Sequence, residues 1–125
     1  MYPIGSLARE EAPLVAGSDW PVSSMNPLEA IHVALTRRDP TDSTSAQLGP
    51  EQRVDLETMI DAYTIAGSRL VGAAAESGSI EVGKSADLVV FDRDLFAIDA
   101  REISDAEVLF TLFEGKAVYE AEAER

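Results

Sequence analysis

The first residues of the chain combine a stripe of apolar positions at helical spacing with a short continuous apolar run. Ile4, Leu7 and Ala8 predict a short helix. The run at residues 14–18 is apolar at nearly every position, which is typical of a strand buried on both faces of a parallel sheet. A helix followed by a buried strand indicates an α/β fold.

Three further helices are predicted before residue 76. Asn26 stands before Pro27, an N-cap residue followed by the proline that a first helical turn favours. A second apolar stripe predicts another helix that starts near Pro50 or at Asp55, which would cap it in the second case, and Gly67 separates this helix from a shorter third one. The stretch at residues 39–50 is rich in Asp, Ser, Thr and Pro and predicts an exposed loop. The predicted helices cover about residues 27–38, 51–66 and 68–75.

The pattern changes to short β-prone runs in the last third of the chain. Residues 86–92 carry a β-prone core between two aspartates, and residues 108–113 and 116–119 predict two more strands. Glycine in the Glu114-Gly115 pair suits the tight turn of a hairpin between them. We therefore divide the chain into residues 1–75 and residues 76–125.

Composition narrows the class of protein. A complete (β/α)8 barrel needs roughly 250 residues, whereas this chain has 125. It contains no cysteine, which excludes thiol nucleophiles and thiolate metal sites. Its formal net charge of −13 argues against nucleic acid and anionic membranes as partners. Without a signal-like or membrane-spanning apolar stretch, the default expectation is a cytoplasmic protein.

Three residues are candidates for chemistry. Asp19 follows the predicted strand, where α/β folds concentrate functional side chains; it could bind a cation, accept a proton, or simply close a turn. Residues 78–85 match the Gly-x4-Gly-Lys-Ser pattern of a phosphate-binding loop, with Lys84 as its lysine, but a strand rather than a helix is predicted to follow. His32 lies beside a helical apolar stripe and is interpreted as a packed or partly exposed helix residue.

Several segments together resemble the end of the YtcJ-like branch of the amidohydrolase superfamily. The most specific segment, GSIEVGKSADLVV at residues 78–90, belongs in that superfamily to the small β-domain beside the barrel. GSDWPV at residues 17–22 and GKAVY at residues 115–119 match in order and spacing. The resemblance implies the C-terminal segment of a (β/α)8 amidohydrolase barrel, with its last strand and helices, plus part of the flanking β-sandwich domain.

The resemblance also implies a function. It makes Asp19 a catalytic residue and metal ligand at the end of the eighth barrel strand, in a hydrolase acting on C–N bonds other than peptide bonds. The complete enzyme would hold a divalent metal, with zinc favoured, and would act on a small-molecule substrate.

The chain departs from the family pattern because the histidines and the lysine or glutamate that complete the metal site are missing from it. A catalytic metal needs about three protein ligands, so the isolated chain is expected to be inactive and to bind no metal by itself. Its expected partners are the missing barrel portion or further copies of itself, which would cover the edges of the strand at residues 14–18. The alternative is a non-enzymatic, oligomerising interaction module derived from the same fold.

Overall fold

The computed structural model describes residues 2–122, which form four short α-helices, two turns of 3-10 helix and one antiparallel sheet. The 3-10 turns are at Pro50–Gln52 and Ile103–Asp105. The α-helices are α1 (Ile4–Arg9), α2 (Pro27–Thr36), α3 (Leu56–Tyr63) and α4 (Ile65–Leu70), and the strands are β1 (Leu88–Phe91), β2 (Val108–Phe113) and β3 (Lys116–Glu120).

Helix α2 begins where the sequence predicts. The side chain of Asn26 accepts a hydrogen bond from the backbone N–H of Leu28 at 3.0 Å, and Pro27 is the first helical residue. The helix ends at Thr36, before the predicted residue 38, because Arg37 adopts the left-handed conformation with φ 57°.

The predicted helix at residues 51–66 is shorter in the structure. Asp55 caps α3 by accepting the N–H of Thr58 at 2.8 Å, so the helix begins at Leu56 and the alternative start at Asp55 is confirmed. The interruption expected at Gly67 is wrong: the break lies at Thr64, with φ −125° and ψ −98°, and Gly67 is inside α4. Helix α4 therefore covers Ile65–Leu70 instead of residues 68–75.

The strand predicted at residues 14–18 is wrong for this chain. These residues belong to no strand, and their one backbone bond to another element runs from Ala16 N–H to Ala62 C=O at 3.0 Å. Val15 is 46% exposed, which is incompatible with burial on both faces. A parallel strand needs neighbouring strands reached by crossover connections, and residues 2–122 supply none beside this segment.

The predicted β-rich part forms a three-stranded antiparallel sheet in the order β1-β2-β3. The hairpin between β2 and β3 turns at Glu114 and Gly115, whose φ angles of 50° and 76° are both positive, as a two-residue type I′ turn requires. The N–H of Glu114 donates to the Asp87 side chain at 2.7 Å, and the N–H of Gly115 donates to the carbonyl of Ala86 at 3.0 Å. These bonds join the turn to the residues just before β1, and the predicted hairpin is confirmed.

One buried apolar cluster connects the helical and the β-rich parts of the chain. Ile103, which is 1% exposed, lies on the second 3-10 turn, and this turn packs against α2. The helices and the loops beside the sheet thus share one core. The division into two domains, residues 1–75 and 76–125, stays a prediction. The buried members of the cluster are Leu28, Ile31, Ala34, Met59, Leu95, Ile103 and Ala106.

Candidate functional site

Asp19 lies at the first turn after the extended segment that precedes α2. Its φ of 51° is left-handed, a conformation that aspartate tolerates better than most residues. Its carbonyl accepts the N–H of Val22 at 2.9 Å, and Ser23 donates its hydroxyl to the carbonyl of Ser18. These contacts close the turn around a residue that is itself exposed. The arrangement leaves the Asp19 side chain accessible to a group outside the chain.

The surroundings of Asp19 do not fit a metal centre. Within residues 2–122, no three His, Asp or Glu side chains are grouped so that they could hold a metal ion. A catalytic zinc site takes about three protein ligands and an open position. The role of Asp19 as catalytic residue and metal ligand therefore stays a prediction that needs ligands from outside the described part of the chain.

Apolar side chains flank Asp19 on the loop that leads to α2. Trp20, Val22 and Met25 are 63%, 79% and 68% exposed, although residues of these types are usually buried. The sequence drew attention only to Trp20, because nothing in the local pattern shows that Val22 and Met25 are left uncovered. All three lie within six positions after Asp19 in the sequence, and we call these exposed side chains the apolar rim.

His32 is buried, and the structure thereby decides between the packed and the partly exposed positions that the sequence left open. It is 5% exposed, and its Nδ1 lies 3.1 Å from the hydroxyl of Ser104 on the second 3-10 turn. This hydrogen bond satisfies the buried ring and links α2 to the connection between β1 and β2. The ring of His32 is therefore bonded to a residue 72 positions further along the chain.

Lys84 does not form a phosphate-binding loop. Its Nζ donates to the Ser79 hydroxyl at 2.6 Å and lies 3.0 Å from a carboxylate oxygen of Glu81. The hydrogen bonds from Ser79 and then from Lys84 hold the pKa of Glu81 below its usual value. The next regular element is β1 rather than the helix that such a loop needs. Residues 78–85 therefore form a turn that is stabilised by contacts among the side chains of Ser79, Glu81 and Lys84.

Comparison with known proteins establishes the family. The profile of the Amidohydrolase family matches residues 1–119, nearly the whole chain. The chain therefore belongs to the amidohydrolase family, as the resemblance indicates.

Individual relatives agree with this family. The chain is 31% identical over 120 residues to N-substituted formamide deformylase of Arthrobacter pascens, covering 96% of this chain and 22% of that protein. It is 34% identical over 118 residues to Protein LONG AFTER FAR-RED 3 of Arabidopsis thaliana, covering 94% of this chain and 20% of that protein. The putative amidohydrolase YtcJ of Bacillus subtilis is 28% identical over 104 residues, covering 83% of this chain and 20% of that protein. The chain thus spans about a fifth of the length of these curated relatives.

A solved structure supports the fold. The adenosine deaminase from Xanthomonas campestris with bound zinc superposes with a TM-score of 0.68 at 24% identity, over 96% of this chain and 28% of that chain. This likeness shows an amidohydrolase fold of mixed α/β character with a small antiparallel sheet. Among the described residues, no helix is long and apolar enough to cross a membrane.

Proposed function

We propose that this chain is the C-terminal portion of a metal-dependent hydrolase that acts on C–N bonds other than peptide bonds. The observation that carries the proposal is the family match over residues 1–119 together with coverage of only about a fifth of each relative. In this proposal the helical part ends a (β/α)8 barrel, and the three-stranded sheet is part of the flanking β-sandwich. The complete protein acts on a small molecule and is cytoplasmic.

Asp19 is the residue that this portion contributes to catalysis. Three features support the assignment: it follows an extended apolar segment, it precedes a capped helix, and it is exposed. The hydrogen bonds of its turn hold the backbone of Asp19 in place. A catalytic carboxylate has to be positioned by the structure around it. The neighbouring rim of Trp20, Val22 and Met25 would border the same site on its apolar side.

The isolated chain is inactive in this proposal. One carboxylate is too few for a catalytic metal, and the described residues offer no second and third ligand. The remaining ligands therefore come from the missing barrel portion, and the expected metal, zinc by preference, is held only by the complete site.

A chimera tests the proposal. This chain replaces the matching C-terminal segment of the Arthrobacter pascens deformylase, and hydrolysis of an N-substituted formamide and bound zinc are measured. We expect activity in the chimera and its loss, by about a hundredfold or more, with Asp19→Asn. Asp61→Asn on α3 is the matched control, because it removes the same charge from another exposed aspartate.

Two results would contradict the proposal. A chimera that melts cooperatively but hydrolyses nothing would show that this segment cannot serve in such an enzyme. Turnover by the isolated chain with zinc would show that the site is complete without further residues.

The alternative is a non-enzymatic interaction module. The name of one relative, Protein LONG AFTER FAR-RED 3, states no reaction, although that protein is 34% identical to this chain. An interaction module would predict that Asp19→Asn leaves partner binding unchanged, whereas the hydrolase predicts loss of turnover.

A further inference from the structure

The turn that carries Asp19 is held on both sides of the Asp19 Cα atom. The two soft torsion angles of a residue, φ and ψ, join the planar peptide groups before and after it. The carbonyl of Ser18 belongs to the peptide group before Asp19, and it accepts the hydroxyl of Ser23. The carbonyl of Asp19 belongs to the peptide group after it and accepts the N–H of Val22 at 2.9 Å. Because both peptide groups are held, the direction of the Asp19 Cα–Cβ bond is set.

The peptide group before Asp19 depends on Ser23 alone. The group after Asp19 has a second hydrogen bond, because the N–H of Trp20 donates to the Ser18 hydroxyl at 3.3 Å. Within residues 2–122, the group before Asp19 has only the hydrogen bond from the Ser23 hydroxyl. Removing this hydroxyl therefore frees one of the two peptide groups that set the direction of the carboxylate.

The backbone conformation of Asp19 needs such a hold. Its φ of 51° lies in the left-handed region, which has a steric cost for every residue except glycine, although aspartate tolerates it better than most. Conformations of this kind persist where the surrounding contacts fix them, and they cluster at functional sites. Without the bond from Ser23, rotation of the peptide group between Ser18 and Asp19 would let the carboxylate change direction.

Ser23 is joined to the buried core through the start of α2. The hydroxyl of the next residue, Ser24, accepts the N–H of Asn26 at 3.2 Å, and Asn26 caps α2 by accepting the N–H of Leu28 at 3.0 Å. Leu28 is 3% exposed and belongs to the buried cluster. Short-range bonds thus run from the core through the helix start to the turn. Ser23 makes the last of these bonds, which returns to the peptide group before Asp19.

We propose that Ser23 is a positioning residue for the carboxylate of Asp19. A serine hydroxyl has one proton, and Ser23 donates it to the carbonyl of Ser18. Ser23 therefore acts through the backbone of Asp19 and does not give a proton to a substrate. Its part in catalysis rests on the proposed function of Asp19, whereas its hold on the turn does not.

NMR relaxation of the chain measures this hold directly. The backbone order parameter of Asp19 should be near the rigid value of about 0.85 in the parent chain and should fall towards about 0.6 in Ser23→Ala. Ser23→Thr keeps the hydroxyl and should restore the parent value. Ser43→Ala is the matched control, because it removes the same hydroxyl from an exposed serine outside the turn. Ser23 is exposed as well, so thermal melts should show that every variant keeps its fold.

Kinetics in the chimera with the Arthrobacter pascens deformylase measure the consequence for catalysis. Ser23→Ala should lower kcat by about tenfold and change KM by less than about twofold, because a misdirected carboxylate weakens transition-state stabilisation and not substrate binding. Ser23→Thr should recover most of the lost kcat. Ser43→Ala should leave both kcat and KM unchanged.

The two measurements decide about Ser23 separately from the proposed function. A lower order parameter and a lower kcat in Ser23→Ala, both recovered in Ser23→Thr, support the positioning role. A mobile Asp19 in the parent chain overturns it, as does an order parameter or a kcat that Ser23→Ala leaves unchanged. A rise in KM at constant kcat also overturns it, since Ser23 would then contact the substrate. A parent chimera without turnover counts against the proposed hydrolase function, and the order parameters alone then decide about Ser23.

Discussion

Replacing Ile103 with alanine tests whether the helical and β-rich parts depend on one core. Ile103 is 1% exposed and packs in the cluster that contains Leu28 and Ile31 of α2. The substitution removes three apolar carbon groups at about 0.8 kcal/mol each, or about 2.4 kcal/mol, and the remaining cavity raises the cost to about 3–4 kcal/mol. Such a loss is a large share of the about 5–15 kcal/mol that stabilises a typical domain.

Urea unfolding, followed by circular dichroism, measures this cost. The midpoint should fall while the slope of the transition is unchanged, because the substitution alters stability rather than the surface exposed on unfolding. Ile80→Ala is the matched control: the same atoms are removed from a side chain that is 87% exposed, and the change should stay within about 0.5 kcal/mol.

Two results would refute the reasoning about Ile103. A difference between the two variants below about 1 kcal/mol would mean that the core does not depend on this contact. Two separate transitions, with only the second affected by Ile103→Ala, would show that the helical and β-rich parts unfold independently.

The remaining predictions concern a glycine and a helix cap. Gly78→Ala should lower the free energy of unfolding by about 2 kcal/mol or more, because the position has φ +90° and a new Cβ would lie 2.5 Å from the Ser68 hydroxyl. Gly72→Ala is the control: its φ is +78° but the space around it is open, so it should cost only about 1 kcal/mol. Thermal melts of the two variants measure the difference. Asp55→Ala should cost about 1 kcal/mol through loss of the α3 cap. Hydrogen bonds from Thr58 lower the pKa of Asp55 in the folded chain, so its contribution is complete above the unfolded-state pKa and is lost as pH falls through the folded-state pKa. Asp55→Asn should therefore flatten the acid side of a plot of urea midpoint against pH, and an unchanged slope would contradict the assignment.

Local chemistry made several elements predictable. Asn26 before Pro27 predicts the start of α2 because a cap acts on N–H groups two or three residues away. The Glu114-Gly115 pair predicts the hairpin because the turn conformation depends on its own residues. The family assignment likewise came from a contiguous run, residues 78–90, and the family profile confirms it.

Elements that depend on distant residues could not be predicted in this way. The apolar run at residues 14–18 has the composition of a buried strand, but a strand exists only where neighbours complete its ladder. The end of α2 at Thr36 and the break at Thr64 follow from backbone conformations that the residue types do not dictate. The sequence left open whether His32 is packed or partly exposed; its burial and its partner Ser104, on an element far along the chain, were found only in the structure.

The candidate site shows the same division. The sequence by itself determined that Asp19 follows an apolar segment, and the resemblance to the family predicts a metal-ligand role for it. Tertiary structure decided that it sits exposed in a left-handed turn beside an apolar rim, without two further ligands among the described residues. The physical reason is that the conformation of a turn depends on neighbours in sequence, whereas a metal site depends on groups that meet only when the chain folds.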